Sequence, residues 1–107
     1  MGDMEDVWYV YEELVRDRDE FILVDCRDES ERTLAMIGGA IHHSRAAIEA
    51  DPGILDRSKE IVLFCHRGEI SAKVATFLKE HGFPSVKSLA GGVHAYAEMV
   101  DPGIPTY

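Results

Sequence analysis

Two unbroken apolar runs constrain this chain more than anything else in it: Phe21-Ile22-Leu23-Val24 and Ile61-Val62-Leu63-Phe64. A strand with one wet face alternates apolar and polar residues. An unbroken run of four instead fits a strand covered on both faces, as in a parallel sheet. Each run stops on reactive groups, the first on Asp25-Cys26-Arg27 and the second on Cys65-His66-Arg67.

Helical spacings fill the rest of the chain. Val7, Val10, Tyr11, Leu14 and Val15 form one stripe, which predicts a helix, with Trp8 as a packing residue. Asp28 and Glu31 are spaced as an N-cap and its return partner. Gly38-Gly39 predicts a turn before a short apolar piece at Ile41, and the stretch from Ser44 a helix stopped by Pro52-Gly53. A longer helix is expected from about Ser71, with Ile70, Val74, Phe77, Leu78 and His81 on its stripe and Gly82 closing it. Residues 85–89 read as a third strand, and the stretch from Val93 as a last helix before an irregular tail, DPGIPTY. Strands alternating with helices predict an α/β fold: one domain over 1–107, a central, mainly parallel sheet with helices on both faces. In such sheets ligands bind beyond the carboxyl ends of the strands, where both reactive groups sit.

The charge of −9 excludes a nucleic-acid or anionic-membrane partner, and no apolar run approaches the roughly 20 residues of a membrane span. The two cysteines and an acidic start without signal-peptide character predict free thiols in a reducing compartment, hence a cytoplasmic protein. No paired Cys/His spacing suggests a metal, and no cofactor is expected; His42, His81 and His94 read as surface or helix-end residues.

At Cys65 the sequence offers a nucleophile's setting. A strand delivers the thiol, His66 to Ile70 turn the chain through Gly68, and a helix starts near Ser71. Such a turn points several N–H groups inward and favours an anion there, whether a thiolate, a persulfide or a substrate oxygen. His66, Arg67 and Lys73 add positive charge, and Glu69 opposes them. From spacing alone, the plain alternative stands beside this one: Cys65 as a small core residue, with Arg67 and Lys73 as solvated charges.

Four ordered pieces carry a resemblance. LVDCRDESE resembles a strand ending in Val-Asp-x-Arg, MIGGAIHHS a Gly-His-Ile-Pro-Gly-Ala-Ile segment, VLFCHRGEIS a Cys-x-x-Gly-x-x-Ser loop, and SLAGGVHAYAE a Leu-x-Gly-Gly-x-x-x-Trp segment. Together the chain resembles a single-domain rhodanese over nearly its whole length. The resemblance implies a sulfurtransferase in which Cys65 carries sulfur as a persulfide. His66, Arg67, Gly68, Glu69, Ile70 and Ser71 would form the substrate-binding loop, with Asp25 and Arg27 supporting it. It implies a small donor such as thiosulfate or a persulfide, and cyanide, a thiol or a sulfur-carrier protein as acceptor. The chain departs from the pattern at Met36, Gly38, Ile70 and Tyr96, which stand where His, Pro, Arg and Trp are usual.

Two rival readings use the same residues. A phosphatase or arsenate reductase of this fold needs an arginine six positions after the cysteine to clamp an oxyanion, and that position is Ser71. A rhodanese-like interaction module without turnover is the other. Cys26 also has two readings. If its strand neighbours that of Cys65, it can resolve an oxidised Cys65. As a residue beside Asp25 pointing to the opposite side, it is a packing group.

Overall fold

The protein is described by a computed structural model covering residues 8–9 and 21–107. Five strands form one sheet in the order β1-β5-β4-β2-β3, every neighbouring pair parallel. They are β1 (Trp8–Tyr9), β2 (Ile22–Asp25), β3 (Ile41–His42), β4 (Ile61–Phe64) and β5 (Val86–Leu89). The helices are α1 (Glu29–Arg32), α2 (Arg45–Ala50), α3 (Glu69–Glu80) and α4 (Gly92–Met99), with a 3₁₀ turn at Pro52–Ile54.

The unbroken apolar runs behave as their composition requires. β4 is buried at all four positions, and its side chains alternate between two cores. Ile61 and Leu63 pack with Val24, Cys26, Ile48 of α2, and Val74, Ala75 and Leu78 of α3. Val62 and Phe64 pack on the other face with Leu23, Leu89, Ala35, Ile37 and Val93 of α4. Burying a side chain of this size stabilises by about 1.5–3 kcal/mol, so β4 alone anchors both layers.

This layering fixes where a site can form. The connection leaving β2 runs over the face that holds Ala35 and Ile37, while the connection leaving β4 runs over the opposite face as α3. Adjacent strands whose connections leave on opposite faces open a crevice beyond their carboxyl ends. Asp25 and Phe64 are paired in register, so Cys26 and Cys65 stand one step further on, at the mouth of that crevice.

Three local expectations need correction. Trp8–Tyr9 is not helical: it forms an edge strand beside Ser88–Leu89, a place that suits large aromatic residues. The stripe positions themselves, Val7, Val10, Tyr11, Leu14 and Val15, lie outside the described residues. Asp28 does precede α1, but its side chain makes no cap hydrogen bond, and Glu31 instead accepts one from the Tyr107 hydroxyl at 3.1 Å. Helix α3 starts at Glu69, two residues before the expected Ser71, because Gly68 adopts φ 98° and reverses the chain there. The buried stripe of α3 is accordingly Ser71, Val74, Ala75 and Leu78, and Ile70 is turned out to 37 % exposure. The C-terminal end matches its reading: Gly82 has φ 89°, and Phe83 N–H closes back on the Leu78 carbonyl.

Candidate active site

Cys65 follows the last residue of β4 and is 4 % exposed. Its Sγ accepts two backbone hydrogen bonds, from Gly68 N–H at 3.1 Å and Ser71 N–H at 3.3 Å. Both donors belong to the cap and first turn of α3, whose amides have no partner inside the helix and whose dipole favours negative charge. The turn is held shut by the Ser71 hydroxyl. It donates to the Gly68 carbonyl at 3.3 Å and meets Ser88 Oγ of β5 at 2.6 Å, with both serines fully buried.

A second helix fixes the loop from the other side. Val93 N–H and His94 N–H donate to the carbonyls of Cys65 and His66 at 2.9 and 3.0 Å. This approach is so close that a Cβ at Gly92 would collide with both carbonyls, and Gly92 has φ 63°. The Gly91-Gly92 pair that reads as a simple turn is therefore the dock for the nucleophile loop.

Asp25 and Arg27 form a buried pair with two parallel bonds, Nε to Oδ1 at 2.8 Å and Nη2 to Oδ2 at 2.7 Å. Arg27 Nη1 donates to the Tyr107 hydroxyl at 2.9 Å, and Nη2 also reaches the Ala35 carbonyl. Burial disfavours the charged guanidinium, but the hydrogen bonds to Asp25 and Tyr107 and the charge of Asp25 outweigh it and hold the pKa above its ordinary value. Arg27 is thus a strut between β2 and the 101–107 segment.

A cavity of about 330 Å³ opens above Cys65. His66, Arg67, Glu69 and Ile70 wall it from the loop and α3, and Arg27, Asp28, Glu31 and Arg45 from the β2 and β3 side. Of the expected loop residues, Gly68 and Ser71 contribute N–H groups beneath the sulfur and the other four face the cavity. Lys73 is exposed on α3 and is not part of the wall. Among the described residues no three His, Cys, Asp or Glu side chains gather as a metal site, and no helix is long and apolar enough to cross a membrane.

Sequence comparison adds the decisive observation: residues 9–99 match the rhodanese-like domain. The chain belongs to the rhodanese-like family. Thiosulfate sulfurtransferase GlpE of Coxiella burnetii is 34 % identical over 84 residues, 78 % of either chain. The chloroplastic rhodanese-like/PpiC domain-containing protein 12 of Arabidopsis thaliana is 37 % identical over 93 residues. That match takes in 83 % of this chain but only 31 % of the longer plant protein. A rhodanese-related protein of Thermoplasma volcanium has the same fold, with a TM-score of 0.83 at 21 % identity over 94 % of this chain and 99 % of that one.

Several features of this rhodanese-like domain were not legible beforehand. Tyr107, in a tail rich in proline and glycine, stacks on His66 and ties Arg27 to Glu31. Arg45 carries no motif of its own and enters the wall because β3 lies beside β2, while Asp28 and Glu31, read beforehand only as a helix start, line it from the start of α1. Cys26 packs in the same buried cluster as Cys65, and its thiol donates to the Phe64 carbonyl at 3.3 Å. Burial, then the charges of Cys65 and Asp25, push that thiol far above the ordinary range, so at neutral pH it is a protonated donor.

Proposed function

We propose that the domain is a sulfurtransferase working through a persulfide on Cys65. The observation that supports this best is the pair of N–H groups from Gly68 and Ser71 aimed at Sγ beneath an open cavity. In the first half-reaction the Cys65 thiolate attacks the outer sulfur of thiosulfate or a donor persulfide. An Sγ–S bond forms, the donor's S–S bond breaks, and its electron pair leaves with sulfite or the donor thiolate. In the second, cyanide, a thiolate or a sulfur-carrier protein attacks the outer sulfur and restores the thiolate. The N–H pair stabilises charge on sulfur with donors that need no reorganisation.

The same geometry weighs against phosphoryl chemistry. The sixth residue after Cys65 is Ser71, whose hydroxyl is spent on Gly68 and Ser88, and Arg27 is spent on Asp25 and Tyr107. Neither residue is available beneath the sulfur as the planar fork that a phosphate dianion needs.

Intact-mass measurement after incubation with thiosulfate or an alkyl persulfide tests the proposal. The wild type should gain one sulfur atom, lost again on adding cyanide, and Cys65→Ser should gain none. A wild type that stays unmodified with every donor would favour the interaction module.

A further inference from the structure

The cradle beneath Cys65 sets where the transferred sulfur sits, and the cavity above it selects what the sulfur arrives on. Resting on the sulfurtransferase reading, we infer that the preferred donor is an organic persulfide carrying a positively charged group, selected over a dianion such as thiosulfate by Asp28, Glu31 and Glu69.

The argument begins with the wall charges. Among the described residues three arginines and three carboxylates line the cavity, which looks balanced. It is not, because two of those arginines are already committed. Arg27 is locked to Asp25 within the fold, and Arg45 Nε is bonded to Glu49 on its own helix at 3.0 Å. That leaves Arg67 to face Asp28, Glu31 and Glu69. Asp28 and Glu69 are exposed and have no ion pair among the described residues, and Glu31 is held at the wall by the Tyr107 hydroxyl.

The N–H groups do not redress this for a thiosulfate. The two N–H groups aimed at the sulfur, those of Gly68 and Ser71, are already taken up by Sγ itself, and a sulfonate end carried into the cavity meets the carboxylates of its wall. The whole chain carries −9, which slows the approach of any dianion further. Size points the same way: thiosulfate has five heavy atoms, and about 330 Å³ suits a larger molecule. Ile70, 37 % exposed on the wall, offers an apolar contact for the carbon chain between a persulfide and an ammonium. The transfer balances without a co-reactant. Sγ attacks the outer sulfur, the donor S–S bond breaks, and the electron pair leaves on the donor thiolate.

Three donors of graded charge test this: cysteamine persulfide (cationic), 3-mercaptopropionate persulfide (anionic) and thiosulfate. Cys65 loading is followed by rapid-quench mass measurement at pH 8, where ordinary imidazoles are neutral. The cationic persulfide should load at least about tenfold faster than its carboxylate counterpart, and added salt should shrink the ratio. Glu31→Gln with Glu69→Gln should reduce that ratio several-fold and speed thiosulfate. Because both persulfides meet the same nucleophile, their ratio cancels any change in Cys65 itself. Against the single variant Glu69→Gln, Glu80→Gln removes the same single charge about 16 Å along α3 and should leave the ratio unchanged. Equal rates for the two persulfides, or a preference that survives the double variant, would overturn the inference while sulfur loading still stood. No loading from any donor would instead remove the sulfurtransferase reading.

Discussion

The Tyr107 ring lies flat on the His66 imidazole, with centroids 3.9 Å apart and planes 7° from parallel. The same phenol accepts from Arg27 and donates to Glu31. One side chain from the irregular 101–107 segment therefore braces three residues of the cavity wall.

Tyr107→Phe keeps the stack and removes the hydroxyl. It should cost about 1.5 kcal/mol, the scale of hydrogen bonds to charged groups. Tyr107→Ala should cost about 1 kcal/mol more by losing the stacked ring. Urea midpoints check both values. Equal losses for the two variants would mean that the stack contributes nothing.

Gly92→Ala probes the dock between α4 and the nucleophile loop. An alanine there needs φ 63° and drives its Cβ into the carbonyls of Cys65 and His66. The expected loss is about 3 kcal/mol, together with slower sulfur loading of whatever remains folded. Gly38→Ala is the control. A Cβ at Gly38 meets nothing within 4 Å, and stability should change by less than about 0.5 kcal/mol.

Cys26 predicts a response to alkali. Its folded pKa is raised above the ordinary 9.0, first by burial and then by the charges of Cys65 and Asp25. Below pH 9.0 the thiol is protonated in both states and its contribution is whole. Above that, the unfolded chain releases the proton while the folded one keeps it. Stability then falls with rising pH, by up to about 1.4 kcal/mol per pH unit. Cys26→Ser keeps a donor for the Phe64 carbonyl but does not titrate in this range. The difference in melting temperature between wild type and variant should therefore narrow or reverse from pH 9 to 10.5. A constant difference would refute the linkage.

The sheet was legible because β2 and β4 are apolar at consecutive positions, a pattern few other structures tolerate. Cys65 was legible because a strand, a glycine and a helix start surround it in sequence. What escaped depends on distance in space. Trp8–Tyr9 lies within a stretch of helical spacing, but pairing beside β5 outweighs the local spacing. Ile70 fits the apolar spacing of α3 better than Ser71, yet Ser71 is the buried one, because Ser88 of β5 lies opposite to bond its hydroxyl. No periodicity reveals a partner 17 residues away. The role of Tyr107 was hidden for the same reason, since its contacts are made 76 and 80 residues upstream.

Ser71 also allows backbone and side-chain contributions at the sulfur to be separated. Its N–H donates to Cys65 Sγ, whereas its hydroxyl bonds Gly68 and Ser88 among the described residues. Ser71→Ala keeps the N–H and strands the buried Ser88 hydroxyl, at a cost of about 1–3 kcal/mol. Adding Ser88→Ala removes the stranded group and should recover part of that loss, a coupling visible in a double-mutant cycle. Sulfur loading per folded molecule should stay within a few-fold of wild type in both variants, because the donors to sulfur are main-chain groups. A folded Ser71→Ala protein that no longer loads would show that the hydroxyl, and not the amide, carries the charge stabilisation.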